Sequence, residues 1–278
     1  MIRRGIGVQS YVSAGVVPPD ADATAFITAA GITDATQQSA INTLVTDLKG
    51  YGIWTKMKAI YPFVGGTASA HKFNLKDPRD LDAAFRLVFS GGWTHSSTGA
   101  LPGGINGYGD TKLNLSSQFN LYNVHYSIYC RTNNQVGIDI GVTTSPAFAR
   151  EGWLLLRDTS NLIQGGFYDN DNITNGAIRV SNTDSKGFYV SSAIASNNIF
   201  LRKNNSQIGA FTGTNTSLPG NGNIYIGAIN NATTSTAIAY ANREYSLISI
   251  GDGLTDTEAA NLYTAVQAYQ TTLSRQVS

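Results

Sequence analysis

The runs NIYIGAIN at positions 223–230 and REYSLISI at positions 243–250, followed by GDGL at 251–254, decide the fold of this chain. Both runs are strand-like, and a helix is predicted directly after them. Thr255 and Glu258 mark its start as a capping box, in which each side chain satisfies a backbone N–H of the other. One amphipathic helix after a long series of strands needs a sheet on which to pack. Its apolar face is formed by side chains at helical spacing, namely Ala259, Leu262, Tyr263, Val266, Tyr269 and Leu273.

The composition excludes some classes of function before any motif is considered. The 278 residues include 42% hydrophobic and 13% charged side chains, and the net charge is +1. This is enough apolar material for a substantial core, but it contains no basic footprint for nucleic acid. No segment approaches the run of about 18 apolar residues that a membrane-spanning helix needs. The sequence therefore predicts neither nucleic-acid binding nor a membrane span.

Strand-like runs recur about every 8–14 residues between positions 63 and 212, separated by turns rich in Gly, Asn, Asp and Ser. Three pairs of runs are predicted to form hairpins: 125–132 with 136–142, 152–157 with 162–168, and 198–203 with 207–212. The last pair is joined through Asn204 and Asn205, and asparagine tolerates the positive φ that tight hairpin turns demand. This spacing is typical of an antiparallel sandwich or barrel, so the chain is predicted to be mainly β.

The first sixty residues have a different pattern. Residues 1–22 are predicted to be an N-terminal arm, which is either a floppy terminus or a segment ordered only against a partner. Residues 23–62 are predicted to be helical: a short helix at 23–30, a second helix capped by Asp34 and ended by Gly50 in the left-handed conformation, and an amphipathic stretch at 53–61. Residues 63–278 then form the sandwich with its C-terminal helix.

Four short stretches carry a resemblance to a known family: 199–205, 223–228, 245–251 and 254–258. With the closing helix, they resemble concanavalin-A-like (laminin-G-like) jelly-roll domains. The upstream stretch 44–78, with YPFVGG at 61–66 and NLKDP at 74–78, resembles tailed-bacteriophage virion proteins that contain such domains. The resemblance covers residues 25–275. It implies a sandwich of two curved antiparallel sheets, often with a glycan-binding concave face, sometimes with calcium, and in some branches with glycoside hydrolase activity.

The carboxylates are the test of hydrolase activity. Retaining glycosidases hold two carboxyl groups about 5 Å apart, and on this fold an E-x-D-x-E-type spacing on one strand achieves that. The chain has only three glutamates, and Glu258 is explained by its helix cap. Glu151 and Glu244 stand alone, and no such triplet exists. We therefore expect the chain not to be an enzyme, with glycan cleavage as the least favoured function.

The best candidate for a metal site is the run Tyr168-Asp169-Asn170-Asp171-Asn172. Alternating Asp and Asn oxygens suit Ca²⁺, which takes six to eight oxygen ligands, and Asp169 and Asp171 would supply the carboxylates. The alternative is a polar turn, because Asp and Asn are common turn residues. No other cofactor is predicted.

A glycan site would combine an exposed aromatic ring with Asn or Asp hydrogen-bonding groups. Aromatic residues in or beside loops supply the candidates, and the alternative for each ring is packing in the core. Tyr168 beside Asp169 and Asn172 is the first choice. The predicted carbohydrate-binding residues are Trp93, Tyr108, Tyr168, Asp169 and Asn172.

Neither histidine nor cysteine chemistry is predicted. His71, His95 and His125 are scattered without a recognisable partner, and His125 is expected on an exposed strand face. Cys130 falls on the opposite, apolar face of the same strand, where it is expected to be a small buried hydrophobic residue.

The chain is predicted to be a non-enzymatic phage virion protein that displays a lectin-like jelly-roll domain. Host-surface glycans are the predicted ligands of this domain. The alternative is a purely structural capsid decoration or tail-packing protein. The predicted partners are other virion proteins through the N-terminal region and further copies of the chain, because virion proteins assemble symmetrically. The predicted location is the virion.

Overall fold

The computed structural model describes residues 19–144, 152–167, 178–213 and 219–277. Within these ranges the protein has three layers: one of helices and two β-sheets stacked face to face. The mainly β sandwich with N-terminal helices and a C-terminal helix, predicted from the sequence, is confirmed. Residues 1–18 of the predicted N-terminal arm lie outside the described residues.

The longer helices begin where the sequence predicts. Asp34 accepts a hydrogen bond from the backbone N–H of Gln37, and both bonds of the predicted capping box between Thr255 and Glu258 are present. The predicted end at Gly50 is wrong, since Gly50 is still helical and Gly52, with φ of 72°, takes the left-handed position. The helices of the described residues are α1 (Ala21–Ala29), α2 (Ala35–Gly50), α3 (Ala68–His71), α4 (Leu115–Gln118) and α5 (Asp256–Thr272).

The strands of the described residues are short. They are β1 (Met57–Tyr61), β2 (Val88–Ser90), β3 (Trp93–Ser96), β4 (Gly99–Pro102), β5 (Tyr108–Asn114), β6 (Val124–Cys130), β7 (Ile140–Thr143), β8 (Gly152–Leu155), β9 (Leu162–Phe167), β10 (Ile178–Ser181), β11 (Gly187–Ala195), β12 (Asn198–Lys203), β13 (Ser206–Phe211), β14 (Asn223–Ile226), β15 (Ile229–Asn231), β16 (Thr236–Ile238) and β17 (Tyr245–Gly251).

The two sheets are built mostly from antiparallel pairs. The first sheet has the order β13-β12-β11-β6-β17-β4-β3, and β1 also pairs with β17. The second has the order β10-β9-β8-β7-β14-β5-β2, with the β15–β16 hairpin attached to β7 through a short parallel pairing. Strands far apart in the sequence lie side by side, as where Asn223 of β14 pairs with Asn114 of β5.

The main core lies between the sheets. The inward side chains of β6, including Tyr126 and Ile128, meet those of the second sheet, including Leu154 and Phe167. The rings of Tyr126 and Phe167 pack edge to face with centroids 4.8 Å apart, an arrangement that the ring quadrupoles favour. This core fixes the position of one sheet relative to the other.

A second apolar cluster lies on the outward face of the first sheet. Tyr129, Phe188 and Leu247 project from β6, β11 and β17 and are covered by the apolar faces of α1, α2 and α5. Leu262 and Val266 of α5 are 1% exposed in this cluster. The C-terminal helix therefore has the sheet that its amphipathic pattern predicts.

The predicted helix at 53–61 is wrong. Trp54–Lys56 forms one 3-10 turn, and the following residues form β1, which pairs with β17. Met57 and Ile60 pack under the helices, whereas Ala59 and Tyr61 face the main core. Because this strand is buried on both faces, its apolar residues do not show the simple alternation that would distinguish it from a helix.

The predicted hairpin between 125–132 and 136–142 is also wrong, because β6 belongs to the first sheet and β7 to the second. The predicted hairpins β8–β9 and β12–β13 are present. Asn204 and Asn205 of the latter have φ of 45° and 67°, as the tight turn requires.

A buried ion pair fixes the crossing from β6 to β7. The Nη1 of Arg243 donates to both carboxylate oxygens of Asp139, at 3.0 and 2.8 Å, and both side chains are fully buried. The Tyr245 hydroxyl and the Leu156 backbone N–H also donate to this carboxylate, each at 2.8 Å. Arg243 further binds the backbone carbonyls of the crossing segment. This network holds the chain where it changes sheets, which the local turn signal at Asn133-Asn134 did not reveal.

Candidate functional site

The outward face of the second sheet is polar and aromatic. Along β5 the side chains alternate between buried and partly exposed positions. Thr111 and Leu113 are fully buried, and the alternating set lies on the outward face because successive side chains of a strand point to opposite faces. The partly exposed set consists of Tyr108, Asp110, Lys112 and Asn114.

Strand register places three side chains in one row across this face. Asp110 of β5 lies opposite Val88 of β2 on one side and opposite Tyr225 of β14 on the other. Directly paired residues of antiparallel strands share a face and contact one another. Tyr225 is therefore an outward residue, and Tyr108 is its diagonal neighbour.

Tyr108 and Tyr225 form an aromatic pair on this face. Their ring centroids are 4.7 Å apart and their planes are inclined by 20°. Burial, together with the negative charge of Asp110 and the nearby Tyr108, raises the pKa of Tyr225 to about 12. Its hydroxyl is therefore neutral at physiological pH and can both donate and accept a hydrogen bond.

Polar groups flank the tyrosine pair. The Asn223 side-chain amide donates to both oxygens of Asp110, at 3.1 and 3.3 Å. The Lys112 ammonium lies 3.0 Å from the same carboxylate. These contacts hold donors and acceptors in fixed positions beside the rings. We define the outward surface formed by Tyr108, Asp110, Lys112, Asn223 and Tyr225 as the tyrosine face.

Trp93 supports the tyrosine face from the end of the sandwich. Its indole N–H donates to the Tyr108 backbone carbonyl at 3.1 Å. The ring packs edge to face with Phe89 at 5.0 Å and is partly buried against the main core. The indole therefore fixes the position of Tyr108 and leaves only part of its own ring accessible.

The predicted glycan-binding residues divide into two groups. Trp93 and Tyr108 are brought together, as just described. Tyr168, Asp169 and Asn172, and with them the predicted calcium ligands Asp169 and Asp171, lie outside the described residues. In the described ranges, no group of three or more His, Cys, Asp or Glu side chains is placed to hold a metal ion.

Sequence reasoning missed four residues of the tyrosine face, namely Asp110, Lys112, Asn223 and Tyr225. In the β14 run NIYI, apolar and other side chains alternate, so Tyr225 lies on the face of the strand away from the two buried isoleucines, Ile224 and Ile226. That alternation predicts an outward ring. Only the pairing of β14 with β5 shows that this ring lies next to Tyr108.

The expectation of an exposed, unpartnered His125 is wrong. His125 is fully buried beneath the β17–α5 connection, where Nδ1 lies 2.7 Å from the Asp252 carbonyl and Nε2 lies 3.1 Å from Ser249 Oγ. Burial lowers the pKa of His125 to about 4. The imidazole is therefore neutral, hydrogen-bonded and shielded from solvent, so its role is structural.

His71 and His95 also have partners, contrary to expectation. Their Nδ1 atoms are 2.9 Å apart, so one imidazole donates to the other. Burial, and secondarily the proximity of His95 and Arg275, lowers the pKa of His71 to about 3.

Cys130 is buried as predicted, and burial raises its thiol pKa to about 12, which keeps the sulfur protonated and unreactive at neutral pH.

Glu244 and Glu258 are both engaged by neighbouring groups. Glu244 Oε1 accepts from the Thr98 hydroxyl at 2.5 Å, and Glu258 binds the Lys56 ammonium at 2.6 Å besides capping α5. Glu151 lies outside the described residues.

No helix among the described residues has the length and hydropathy to cross a bilayer.

The chain matches no protein-family model, and no curated protein sequence matches it. Its structure is similar to that of a Trypanosoma rangeli sialidase mutant displaying trans-sialidase activity, with a TM-score of 0.53, 9% identity, and coverage of 84% of this chain and 39% of the sialidase. The Trypanosoma rangeli sialidase in complex with 2,3-difluorosialic acid gives a TM-score of 0.51, 9% identity, and coverage of 81% and 38%.

A third similar structure is domain 4 of AbnA, a GH43 extracellular arabinanase from Geobacillus stearothermophilus, in complex with arabinotriose. It has a TM-score of 0.46 and 11% identity, with coverage of 74% of this chain and 98% of that domain. Of these three structures, the two sialidases, with TM-scores above 0.5, bear on the fold. They define the class of the protein as a β-sandwich whose fold also occurs within sialidases.

The expectation that the chain is not an enzyme is overturned by these matches. That expectation treated the sandwich as a scaffold used for display, whereas two of the similar structures are sialidases. This chain spans about two fifths of the length of those enzymes, as the coverage of 39% and 38% gives. The lack of an E-x-D-x-E triplet was too narrow a criterion, because it tests only one of the carboxylate arrangements that a β-sandwich can carry.

Proposed function

We propose that this chain is a glycan-binding β-sandwich protein and that the tyrosine face is its binding surface. The observation that carries the proposal is the stacked pair of Tyr108 and Tyr225 beside the hydrogen-bonded Asp110 and Asn223. A tyrosine ring offers an apolar surface to the C–H face of a sugar and a hydroxyl to its polar edge. Fixed carboxylate and amide groups next to the rings then orient the sugar hydroxyls.

The setting proposed for this binding is a tailed-bacteriophage particle. The resemblance of residues 44–78 and of the closing strands to phage virion proteins supports it. In this proposal, the N-terminal region attaches the chain to other virion proteins, several copies assemble together, and the sandwich faces host-surface glycans. Trp93 and Tyr108 keep the binding role predicted for them, and Tyr168, Asp169 and Asn172 stay proposed as carbohydrate-binding residues.

A second candidate is a structural role in which protein neighbours cover the surface. A cleft of about 490 Å³ is lined largely by apolar groups, including Val136, Ile138, Leu155 and Tyr240. Ile105, next to Gly104 of this cleft, is 81% exposed. Such exposed apolar groups favour contact with another protein.

The proposal is tested with a glycan array followed by titration calorimetry of the strongest ligand. We expect Tyr225→Ala to weaken binding about tenfold, because it removes the ring area on which a sugar packs, and burying a side chain of this size contributes about 1.5–3 kcal/mol. Tyr263→Ala on α5 is the matched control, since Tyr263 is also partly exposed but lies on the other side of the molecule.

Two results would contradict the proposal. One is equal loss of affinity in the Tyr225 and Tyr263 variants, which would indicate a general effect on folding. The other is no glycan binding by the wild-type chain, which, together with burial of the Ile105 surface in the assembled particle, would favour the structural role.

A further inference from the structure

A concave feature borders the tyrosine face. A cleft of about 350 Å³ lies between α3 and β2, and its lining includes Ser69, Lys72, Asp80, Arg86 and Val88. Val88 belongs both to this cleft and to the row that continues through Asp110 to Tyr225. The cleft and the tyrosine face are therefore parts of one continuous surface.

The charges on this surface pair with one another. In the cleft, Lys72 lies 2.5 Å from Asp80, and Arg86 lies 3.0 Å from Asp80 and 2.8 Å from Asp82. On the tyrosine face, Lys112 lies 3.0 Å from Asp110. Three cations thus face three carboxylates.

This pairing determines which ligand charge the surface favours. An acidic sugar would have to separate one of these cations from its carboxylate. A cationic ligand would have to separate one of the carboxylates from its cation. An uncharged ligand needs neither change, because each oxygen of Asp80 receives one hydrogen bond and keeps a lone pair free, and the ammonium and guanidinium groups keep donors free for sugar hydroxyls. The surface therefore favours hydroxyl groups over formal charges.

The width of the surface indicates the size of the ligand. Val88 and Tyr225 are separated by two inter-strand spacings, which is about 10 Å. A single pyranose ring stacked on Tyr225 does not extend across this distance into the cleft beyond Val88. A chain of linked sugars does.

We propose that the cleft at Ser69, Lys72 and Arg86 is a second subsite and that the combined surface binds an uncharged oligosaccharide. This inference rests on the proposed glycan-binding function and adds to it the ligand's charge and minimum length. The first sugar packs on the Tyr108–Tyr225 pair, and later sugars pass Val88 and bind the ion-paired side chains of the cleft.

The test is calorimetry with uncharged gluco- and manno-oligosaccharides, from the monosaccharide to the hexasaccharide, and with oligogalacturonates as acidic counterparts. Wild-type affinity is expected to rise with length and to favour the uncharged series. Ser69→Trp fills the cleft at an exposed position, and it is expected to lower hexasaccharide affinity about tenfold while leaving monosaccharide binding unchanged. Ser206→Trp, at an exposed position of the β12–β13 hairpin, is the matched control and is expected to change neither.

The inference is overturned if Ser69→Trp binds every length as the wild type does, or if the acidic series binds more tightly. It is also overturned if the array shows Tyr225-dependent binding to some other glycan but none to these uncharged oligosaccharides. In each of these cases the proposed function survives. Absence of any glycan binding, or binding that Tyr225→Ala leaves unchanged, rejects the proposed function as well.

Discussion

The two sheets carry opposite kinds of outward face. The outward face of the first sheet presents Tyr129, Phe188 and Leu247 to a layer of helices and is buried. The outward face of the second sheet presents Tyr108 and Tyr225 partly to solvent. Both faces are rich in aromatic side chains. What differs is the covering element, so an aromatic residue in the described part of the chain indicates function only on the sheet that the described helices do not cover.

The largest expected effect is on the covered face. Leu247→Ala removes a side chain that is 1% exposed beneath the helices, and we expect it to lower the free energy of unfolding by about 2–5 kcal/mol because it leaves a cavity. Chemical denaturation measures this loss. Glycan affinity of the folded variant should stay at the wild-type value, and a selective loss of affinity would break the separation between the two faces.

The next largest effect is the pH dependence of the stability that His125, on the covered face, contributes. Burial lowers the pKa of His125 to about 4, below its ordinary value of 6.5. The unfolded chain therefore binds more protons between those values, so the stability due to neutral His125 is full above pH 6.5 and is lost as pH falls toward 4. The loss is on the order of 3 kcal/mol.

Urea denaturation at pH 7 and pH 4.5 tests this pH effect, with His125→Gln as the comparison. His71 and His95, whose pKa values are also lowered by burial, shift stability in the same direction. The variant should therefore lose less stability than the wild type over this interval. An identical pH response in both chains would show that His125 is not the titrating group.

A smaller effect on stability is expected on the open face. Tyr225→Ala removes one ring of a partly exposed stack, and we expect a stability loss of about 1 kcal/mol. Its effect on glycan binding should be larger than its effect on stability. Thermal denaturation and calorimetry on the same preparation compare the two quantities, and a large loss of stability with unchanged binding would reverse the roles assigned to the faces.

The smallest effect is expected at the ion pair of the tyrosine face. Lys112 and Asp110 are only partly buried, with side-chain exposures of 26% and 13%. A solvent-screened pair contributes about 0.2–1 kcal/mol, so Lys112→Gln should change the unfolding free energy by no more than that. The variant retains a hydrogen-bond donor, and its affinity for an uncharged glycan should fall less than that of Tyr225→Ala. A larger fall would show that the ammonium charge contributes to binding.

Local signals in the sequence predicted much of the fold. The Thr255–Glu258 capping box, the Asp34 cap and the Asn204-Asn205 turn each depend on residues within a few positions, and each is present. The hairpin predicted across residues 133–134 failed because β6 pairs with β11 and β17, whereas β7 pairs with β8 and β14, and the local turn signal does not reveal these pairings.

The site was predicted only in part for the same reason. Tyr108 and Trp93 were recognised as aromatic residues near loops, but their neighbours Tyr225 and Asn223 come from a strand more than a hundred positions later. Strand register, which the sequence pattern does not specify, assembles these groups. As carbohydrate-binding residues, Trp93, Tyr108, Tyr168, Asp169 and Asn172 all stay predictions.

Hydrogen–deuterium exchange with and without the strongest glycan from the array tests the central claim most directly, because it reports which face the ligand covers. Binding at the tyrosine face predicts slower exchange in 88–90, 108–114 and 223–226, with no change in α2 and α5. Slower exchange confined to the helical layer, with none in those three strands, would contradict the assignment of glycan binding to the second sheet.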